Sequence, residues 1–270
     1  MEQFLPTTVA DLEVGLRTRF QDGGPAVRIV GGGTSGSLDH ARQVPLDRLE
    51  MHGLKKVIEY PARDLTITVE AGLTIAELQQ ALAAEGQCLP IDVPQAAQAT
   101  LGGALAVDVS GPGRYGHGTF RDYVIGIRAV DGKGRLFSAG GRVVKNVAGY
   151  DLCKLLVGSR GILAAIAEVT LKLRPLPAAR RCLWISFRDW GAVEAALSGL
   201  LTSATRPVAI EVLNGPAAEQ IAAASGETLP TDTAVMCLGC EGTLAETRWQ
   251  CTTVVSELQA AGANEVTSLD

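Results

Sequence analysis

Histidine is scarce in this chain, at 3 of 270 residues, and aromatic side chains supply only 4%. The three imidazoles are His40, His52 and His117, so histidine has few places to act as a base and none after residue 117. No apolar run approaches the roughly 20 residues of a membrane-spanning helix, which argues against direct membrane insertion. A basic surplus is missing too. The formal net charge of −5 disfavours a nucleic-acid binder, which needs a basic face. The N-terminal MEQFLPTTVADLEVGLRTRF has neither the charged start nor the apolar centre of a signal peptide. The 6 cysteines therefore read as reduced thiols of a cytoplasmic protein. Cys237 and Cys240 form a lone CxxC whose flanks read as a strand end. No second pair follows at zinc spacing, so no metal site is expected. The chain also lacks a GxxxxGK[ST] loop, a Ser-His-Asp set and any carboxylate pair that spacing places on one face.

What remains is an ordinary globular composition, 47% hydrophobic and 20% charged, with one excess. Glycine accounts for 31 residues, about 11% against a usual ~7%, and 14 of them fall between Gly102 and Gly161. A local excess of this kind suggests backbone held close to something large.

The coarse pattern is mixed. A helix is expected over residues 9–20, capped by Thr8 and Asp11, then a short buried strand over 27–30. Strands follow near 55–60 and 65–70, the second with Leu65, Ile67 and Val69 alternating as in a half-buried strand. Thr74 and Glu77 form a capping box for a helix striped by Ile75, Leu78 and Leu82. Strands near 123–130 and 135–137 flank the turn Asp131-Gly132-Lys133-Gly134, and a longer strand covers 165–173. Arg174-Pro175-Leu176-Pro177 breaks the pattern and sets a domain boundary, 1–175 against 176–270. Beyond it come strand 182–187, helix 190–201 (Val193, Leu197, Leu200 and Leu201 as its stripe), strands 207–213 and 233–238, helix 244–261 and strand 264–268. That order, βαββαβ, is ferredoxin-like, and the whole reads as α+β.

Gly31-x-Gly33-x-x-Gly36 after a strand matches the expression for a dinucleotide loop. The helix that this mechanism requires is missing, because 37–45 carries no apolar stripe and ends in proline. A Rossmann site is thereby disfavoured, yet consecutive glycines still expose backbone N–H groups that suit a phosphate. Three further slim segments point to the same long ligand: Thr100-Leu101-Gly102-Gly103, which reads as a helix start; Ser110 to Gly118; and Gly158-Ser159-Arg160-Gly161 before a strand.

The motifs GGGTS (31–35), LDRL (46–49), VIEYPARDLTITVEAG (57–72), ATLGGALA (99–106), SGPGRYGHGTFRDYVIG (110–126), KNVAGYDL (145–152) and GSRGILAAIAEVTLKLRP (158–175) together resemble a known family. It is the FAD-binding PCMH-type family of vanillyl-alcohol oxidase and para-cresol methylhydroxylase. Within it the likeness runs to the FAD-binding E subunits of glycolate oxidase (glycolate dehydrogenase). The resemblance implies a PCMH-type FAD-binding domain of two α/β subdomains over 1–175, followed by the ferredoxin-like unit over 176–270. Members continue past that unit with a segment that returns to the flavin, which this sequence is expected to lack.

FAD is the implied cofactor. By the same resemblance Gly31, Gly32, Gly33, Thr34, Ser35 and Gly36 form the pyrophosphate loop. Thr100, Gly102, Gly103 and Ser110 border the diphosphate, ribityl chain and ring, and Gly161 and Ile166 offer backbone contacts. The implied activity is hydride transfer from the α carbon of a small 2-hydroxy acid to flavin. The implied partners are a second FAD subunit and an iron–sulfur subunit, through which a cytoplasmic protein becomes membrane-associated. A stand-alone FAD-dependent hydroxy-acid or alcohol oxidoreductase and a non-catalytic FAD-binding subunit are the alternatives. No catalytic residue is assigned. His117, Arg114, Tyr115 and Lys145 are the residues in the glycine-rich centre whose chemistry suits an acid substrate.

Overall fold

Residues 3–35, 46–141 and 150–269 are described in the computed structural model of the chain. Through Pro175 the order is β1 (Gln3–Phe4), α1 (Val9–Gln21), β2 (Val27–Val30), β3 (Asp47–Glu50), β4 (Val57–Glu59), β5 (Thr66–Glu70), α2 (Ile75–Ala83), β6 (Gln87–Cys88) and α3 (Leu101–Val107). Then come the single turns α4 (Arg114–His117) and α5 (Phe120–Tyr123), β7 (Val124–Asp131), β8 (Leu136–Gly140), α6 (Leu152–Leu156), β9 (Ala164–Lys172) and β10 (Arg174–Pro175). The chain finishes with β11 (Ala179–Phe187), α7 (Trp190–Thr202), β12 (Ala209–Asn214), α8 (Gly215–Ser225), β13 (Ala234–Gly242), α9 (Leu244–Ala260) and β14 (Glu265–Leu269). Among the described residues no helix is long and apolar enough to cross a membrane.

The chain divides into two compact units. The first holds residues up to Ser110 together with Thr119–Leu176, and the second holds Gly111–Gly118 with the rest from Pro177. Sequence reading kept 111–118 with the first domain. In the structure, the Gly116 N–H donates to the Val208 carbonyl at 2.9 Å, and a Cβ on Gly116 would stand 2.6 Å from the Val208 Cα. That glycine serves a close approach within the second unit.

Among the described residues the first unit has two larger sheets and a short two-stranded ladder. A parallel sheet, β1-β3-β2, packs on α1, whose Leu12 and Leu16 meet Leu49, Met51, Leu54 and Ala167. An antiparallel sheet, β4-β5-β9-β7-β8, buries Ile67, Val69, Val169 and Leu171 under α2 and α3. This is the α+β arrangement of two α/β subdomains. The helix starts follow local chemistry: Thr8 with Asp11 and Thr74 with Glu77 make reciprocal caps, at 3.0 to 3.2 Å. Hydrogen bonding to the Thr74 backbone and hydroxyl also holds the Glu77 carboxyl below its usual range.

Two strand expectations change. All five residues of β5 are buried, so its polar face is not solvated. The Thr68 and Thr170 hydroxyls share a bond of 2.9 Å, Glu70 accepts the Lys56 N–H at 2.7 Å, and Glu168 pairs with Arg128 at 2.6 Å. Period-two alternation therefore marks two chemistries here, apolar and polar-but-satisfied, rather than core and solvent. Arg174–Pro175, read as a break, pairs with Gln87–Cys88 as a two-residue ladder, tolerable because so short an edge can use the proline as acceptor only.

The second unit's sheet has the order β12-β13-β11-β14, every neighbour antiparallel, which is the ferredoxin-like arrangement. Helix α8 interrupts the connection that was read as strand to strand. Its start, Asn214-Gly215-Pro216, looks like a turn, but the Asn214 side chain caps the Ala217 N–H at 3.0 Å and proline suits a first turn. Its core face is only Ala218 and Ala222, too slight to show as a stripe. The stripe of α7 also shifts: Val193, Ala196 and Leu200 are buried, while Leu201 is 80% exposed. Alanine carries the core position that the sequence reading gave to leucine.

Candidate functional site

Three of the glycine segments come together in the first unit. The loop after β2 lies on the segment that starts α3. A Cβ on Gly31 would run into the Thr100 hydroxyl, and one on Gly32 would run into the Gln98 carbonyl. Gly102 is equally constrained, since its Cβ would stand 2.7 Å from the Ala71 Cβ and 3.0 Å from that residue's carbonyl oxygen. The third segment closes on the other end of α3. The Gly158 N–H donates to the Leu105 carbonyl at 3.0 Å and the Arg160 N–H to the Ala106 carbonyl at 2.7 Å, satisfying acceptors that the helix end would leave open.

Backbone donors are distributed unequally among these segments. The first N–H groups of α3 are all used: Leu101 donates to the Leu73 carbonyl at 2.8 Å and Gly102 to the Ala71 carbonyl at 2.7 Å. Gly103 donates to the Thr100 hydroxyl at 3.2 Å and Ala104 to the Thr100 carbonyl at 2.9 Å. What the glycines of this helix start offer is therefore closeness rather than open donors. In contrast, the N–H groups of Gly31–Ser35 make no hydrogen bond to another described residue. Gly33 has φ +70 and open space where a Cβ would be, so this loop turns in the left-handed region with its surface bare. Successive uncommitted N–H groups in a glycine turn form a concavity suited to an anion.

A slot of about 50 Å³ joins the segments, lined by Gly31, Gly102, Gly103, Gly161 and Ile166 with Arg160. Five residues assigned to the cofactor from the sequence thus share one cavity. A second cavity, of about 310 Å³, shares Ile29, Gly161 and Ala164 with it, so both open around the start of β9. Arg160 is the contribution that sequence reading missed. It is the slot's one charged lining residue and holds φ +55, a left-handed conformation unusual for a side chain of its size. The signal was available in GSRG, where only the glycines drew attention.

The other expected residues are scattered. Gly32, Gly33, Thr34 and Ser35 belong to the same loop without lining the slot, and Thr100 acts through its contacts with Gly31 and Gly103. Ser110 ends the first unit's segment. Gly36, His40 and Lys145 lie outside the described residues. Arg114, Tyr115 and His117 fall in α4 of the second unit, where the His117 Nε2 is 2.9 Å from a Glu241 carboxylate oxygen with its side chain 7% exposed. His52 is an exposed side chain beside Glu50, at 3.6 Å. Cys237 and Cys240 occupy opposite faces of β13, among separate apolar clusters, and burial pushes each thiol up to about 12. A thiol pair split by a sheet cannot act as one CxxC centre.

The slim, donor-lined arrangement fits a long anionic cofactor, and the comparison with protein families decides which. A model described as "FAD binding domain" matches residues 4–140. The chain belongs to this FAD-binding family, of PCMH type. Its cofactor is FAD. Among curated relatives of this FAD-binding protein is glycolate oxidase subunit GlcE of Escherichia coli (strain K12), 35% identical over 173 residues, covering 64% of this chain and 48% of that one. D-lactate dehydrogenase of Archaeoglobus fulgidus is 34% identical over 172 residues, covering 63% of this chain and 38% of that one. The chain thus spans about half the length, or less, of these relatives. A solved alkyldihydroxyacetonephosphate synthase superposes with TM-score 0.78 at 21% identity, over 99% of this chain and 53% of that one, which shows the fold.

Proposed function

We propose that the chain is an FAD-binding subunit of a glycolate-type 2-hydroxy-acid dehydrogenase, working with partner subunits. The observation that carries this reading is the 35% identity with a glycolate oxidase subunit over 173 residues. Matches to D-lactate and D-2-hydroxyglutarate dehydrogenases support it, since all three names refer to 2-hydroxy acids. When bound, FAD supplies an acceptor for the hydride on the substrate's α carbon.

The chain's own residues do the holding. The N–H groups of Gly31–Ser35 donate to the diphosphate, with Gly36 completing that loop. Gly102, Gly103, Gly161 and Ile166 form a wall flat enough for close approach, Ser110 and Thr100 border it, and Arg160 adds a positive charge. A 2-hydroxy acid also needs a base for its hydroxyl proton and a cation for its carboxylate. Among the described residues of the slot lining, Arg160 is the one charged side chain. A second FAD subunit and an iron–sulfur subunit are the partners this reading implies, and with them a cytoplasmic, membrane-associated complex.

The test is a visible spectrum. The purified chain is reconstituted with FAD, and glycolate or D-lactate is added without oxygen, alone and with candidate partner subunits. The expected result is a flavin band that bleaches only in the presence of partners. Bleaching by the chain alone favours a stand-alone hydroxy-acid dehydrogenase. A band that never bleaches favours a non-catalytic subunit, and absence of any band overturns all three.

A further inference from the structure

Four of the six cysteines, Cys182, Cys237, Cys240 and Cys251, lie in the second unit, and none lines the glycine-walled slot. They sort into two pairs on opposite faces of the sheet. Cys240 is 1% exposed in the apolar cluster beneath α9, and Cys251, on α9, packs against that same cluster. The residues beside the two cysteines are tied together across the gap between helix and sheet. The Gln250 side-chain N–H reaches the Glu241 carbonyl at 3.5 Å, and the Gln250 side-chain oxygen accepts the Arg206 N–H at 2.8 Å. The Cys240 and Cys251 thiols are hydrogen-bonded to each other.

The other pair fails on geometry. Cys182 stands opposite Gly239 and Cys237 opposite Trp184, so these two are diagonal neighbours on β11 and β13. Diagonal positions lie about 7–8 Å apart, beyond the ~4.4–6.8 Å between Cα atoms that a disulfide spans. Within the first pair, access differs. Cys251 is half-buried and lines a pocket of about 180 Å³ with Leu244, Thr247 and Thr252, whereas Cys240 is sealed in the core. Burial, with the Cys251 thiol beside it, pushes the Cys240 thiol up to about 12. Thiol reactivity follows thiolate character and exposure, so an oxidant meets Cys251 first.

We propose that Cys251 and Cys240 form a reversible oxidation site for a hydroperoxide, with Cys251 as the thiol that reacts first and Cys240 as the one that resolves it. With hydrogen peroxide, the Cys251 sulfur attacks one oxygen and the O–O bond breaks, giving a sulfenic acid and one water. The Cys240 sulfur then attacks the Cys251 sulfur, the S–O bond breaks, and the hydroxyl leaves with the Cys240 proton as a second water. Two thiols lose two electrons and two protons, and the disulfide stops oxidation at its reversible stage. The site does not depend on the proposed reaction.

The full chain, reconstituted with FAD, is treated with hydrogen peroxide while folded and quenched with catalase. It is then unfolded in iodoacetamide, and its peptides are read by mass spectrometry without reduction. The expected product is an intramolecular Cys240–Cys251 cross-link, two hydrogen atoms lighter than the sum of its peptides and absent after dithiothreitol. Cys182→Ser is expected to leave that cross-link unchanged. In Cys240→Ala the sulfenic acid has no resolving thiol, so dimedone labelling of Cys251 is expected to rise at least about tenfold over native. The cross-link is read on the native protein and stays decisive if a variant fails to fold. The proposal is overturned by both thiols remaining open to alkylation after peroxide, by a disulfide that joins either of them to another cysteine instead, or by equal dimedone labelling of Cys251 in the native protein and a folded Cys240→Ala.

Discussion

The loop Gly31–Ser35 and the helix start Thr100–Gly103 touch each other, share a slot, and use glycine for different ends. In the loop, the backbone N–H groups make no hydrogen bond to another described residue, and Gly33 turns at φ +70. At the helix start every early N–H already has a protein acceptor, so what its glycines contribute is absence of bulk. Glycine beside a ligand thus serves either to supply donors or to remove volume, and neighbouring segments divide the two tasks. From sequence, the loop looked the weaker indication because no helix followed it. In the structure it is the segment with donors to give.

The comparison breaks most visibly at Gly32. Its missing Cβ would meet a main-chain carbonyl, that of Gln98, so neither partner can swing aside. Gly32→Ala is expected to cost about 3 kcal/mol, the upper part of the usual range for overpacking, and to lose the flavin band as well. Denaturant unfolding and the FAD spectrum measure both, and native values of both would mean that the loop does not lie on this segment. Gly103→Trp separates the two tasks. A Cβ there meets little beyond the Thr100 hydroxyl, at 3.0 Å, and the ring would fill the slot. FAD retention is expected to disappear while stability stays within about 1 kcal/mol of the native protein. Equal retention by this variant would place the cofactor elsewhere.

The architecture was readable where local chemistry is self-contained. The capping pairs Thr8–Asp11 and Thr74–Glu77 announce their helices, and the Asp131–Gly134 turn announces its hairpin, because each needs only neighbours in sequence. What escaped depends on residues far apart. The polar face of β5 looks solvated until Thr170 and Lys56 arrive to satisfy it. Helix α8 hides behind alanine, whose small burial gives no stripe. At the site, five residues of the slot were identifiable as glycine motifs and their flanks. Arg160 was not, because its left-handed backbone and its place in the lining exist only once Ala106 accepts its N–H.

Thr100 makes the finest test of the division between donors and shape. It is 2% exposed, and its hydroxyl accepts the Gly103 N–H at 3.2 Å. Were it a cofactor contact in its own right, Thr100→Val would weaken FAD as strongly as any change in the slot. If instead it acts as the cap of α3, the loss is one N-terminal hydrogen bond, about 1 kcal/mol, or ~2–4 °C in Tm for a chain of this size. FAD affinity should then stay within about threefold of native, because the wall it meets is unchanged. The variant also releases the Gly103 N–H toward the slot. A gain in affinity would mean that a freed donor at the helix start is useful to the cofactor after all, and a tenfold loss would mean that the hydroxyl itself is the contact. Unchanged binding with a lower Tm is the outcome that keeps the helix start as a shape and leaves the donors to Gly31–Ser35.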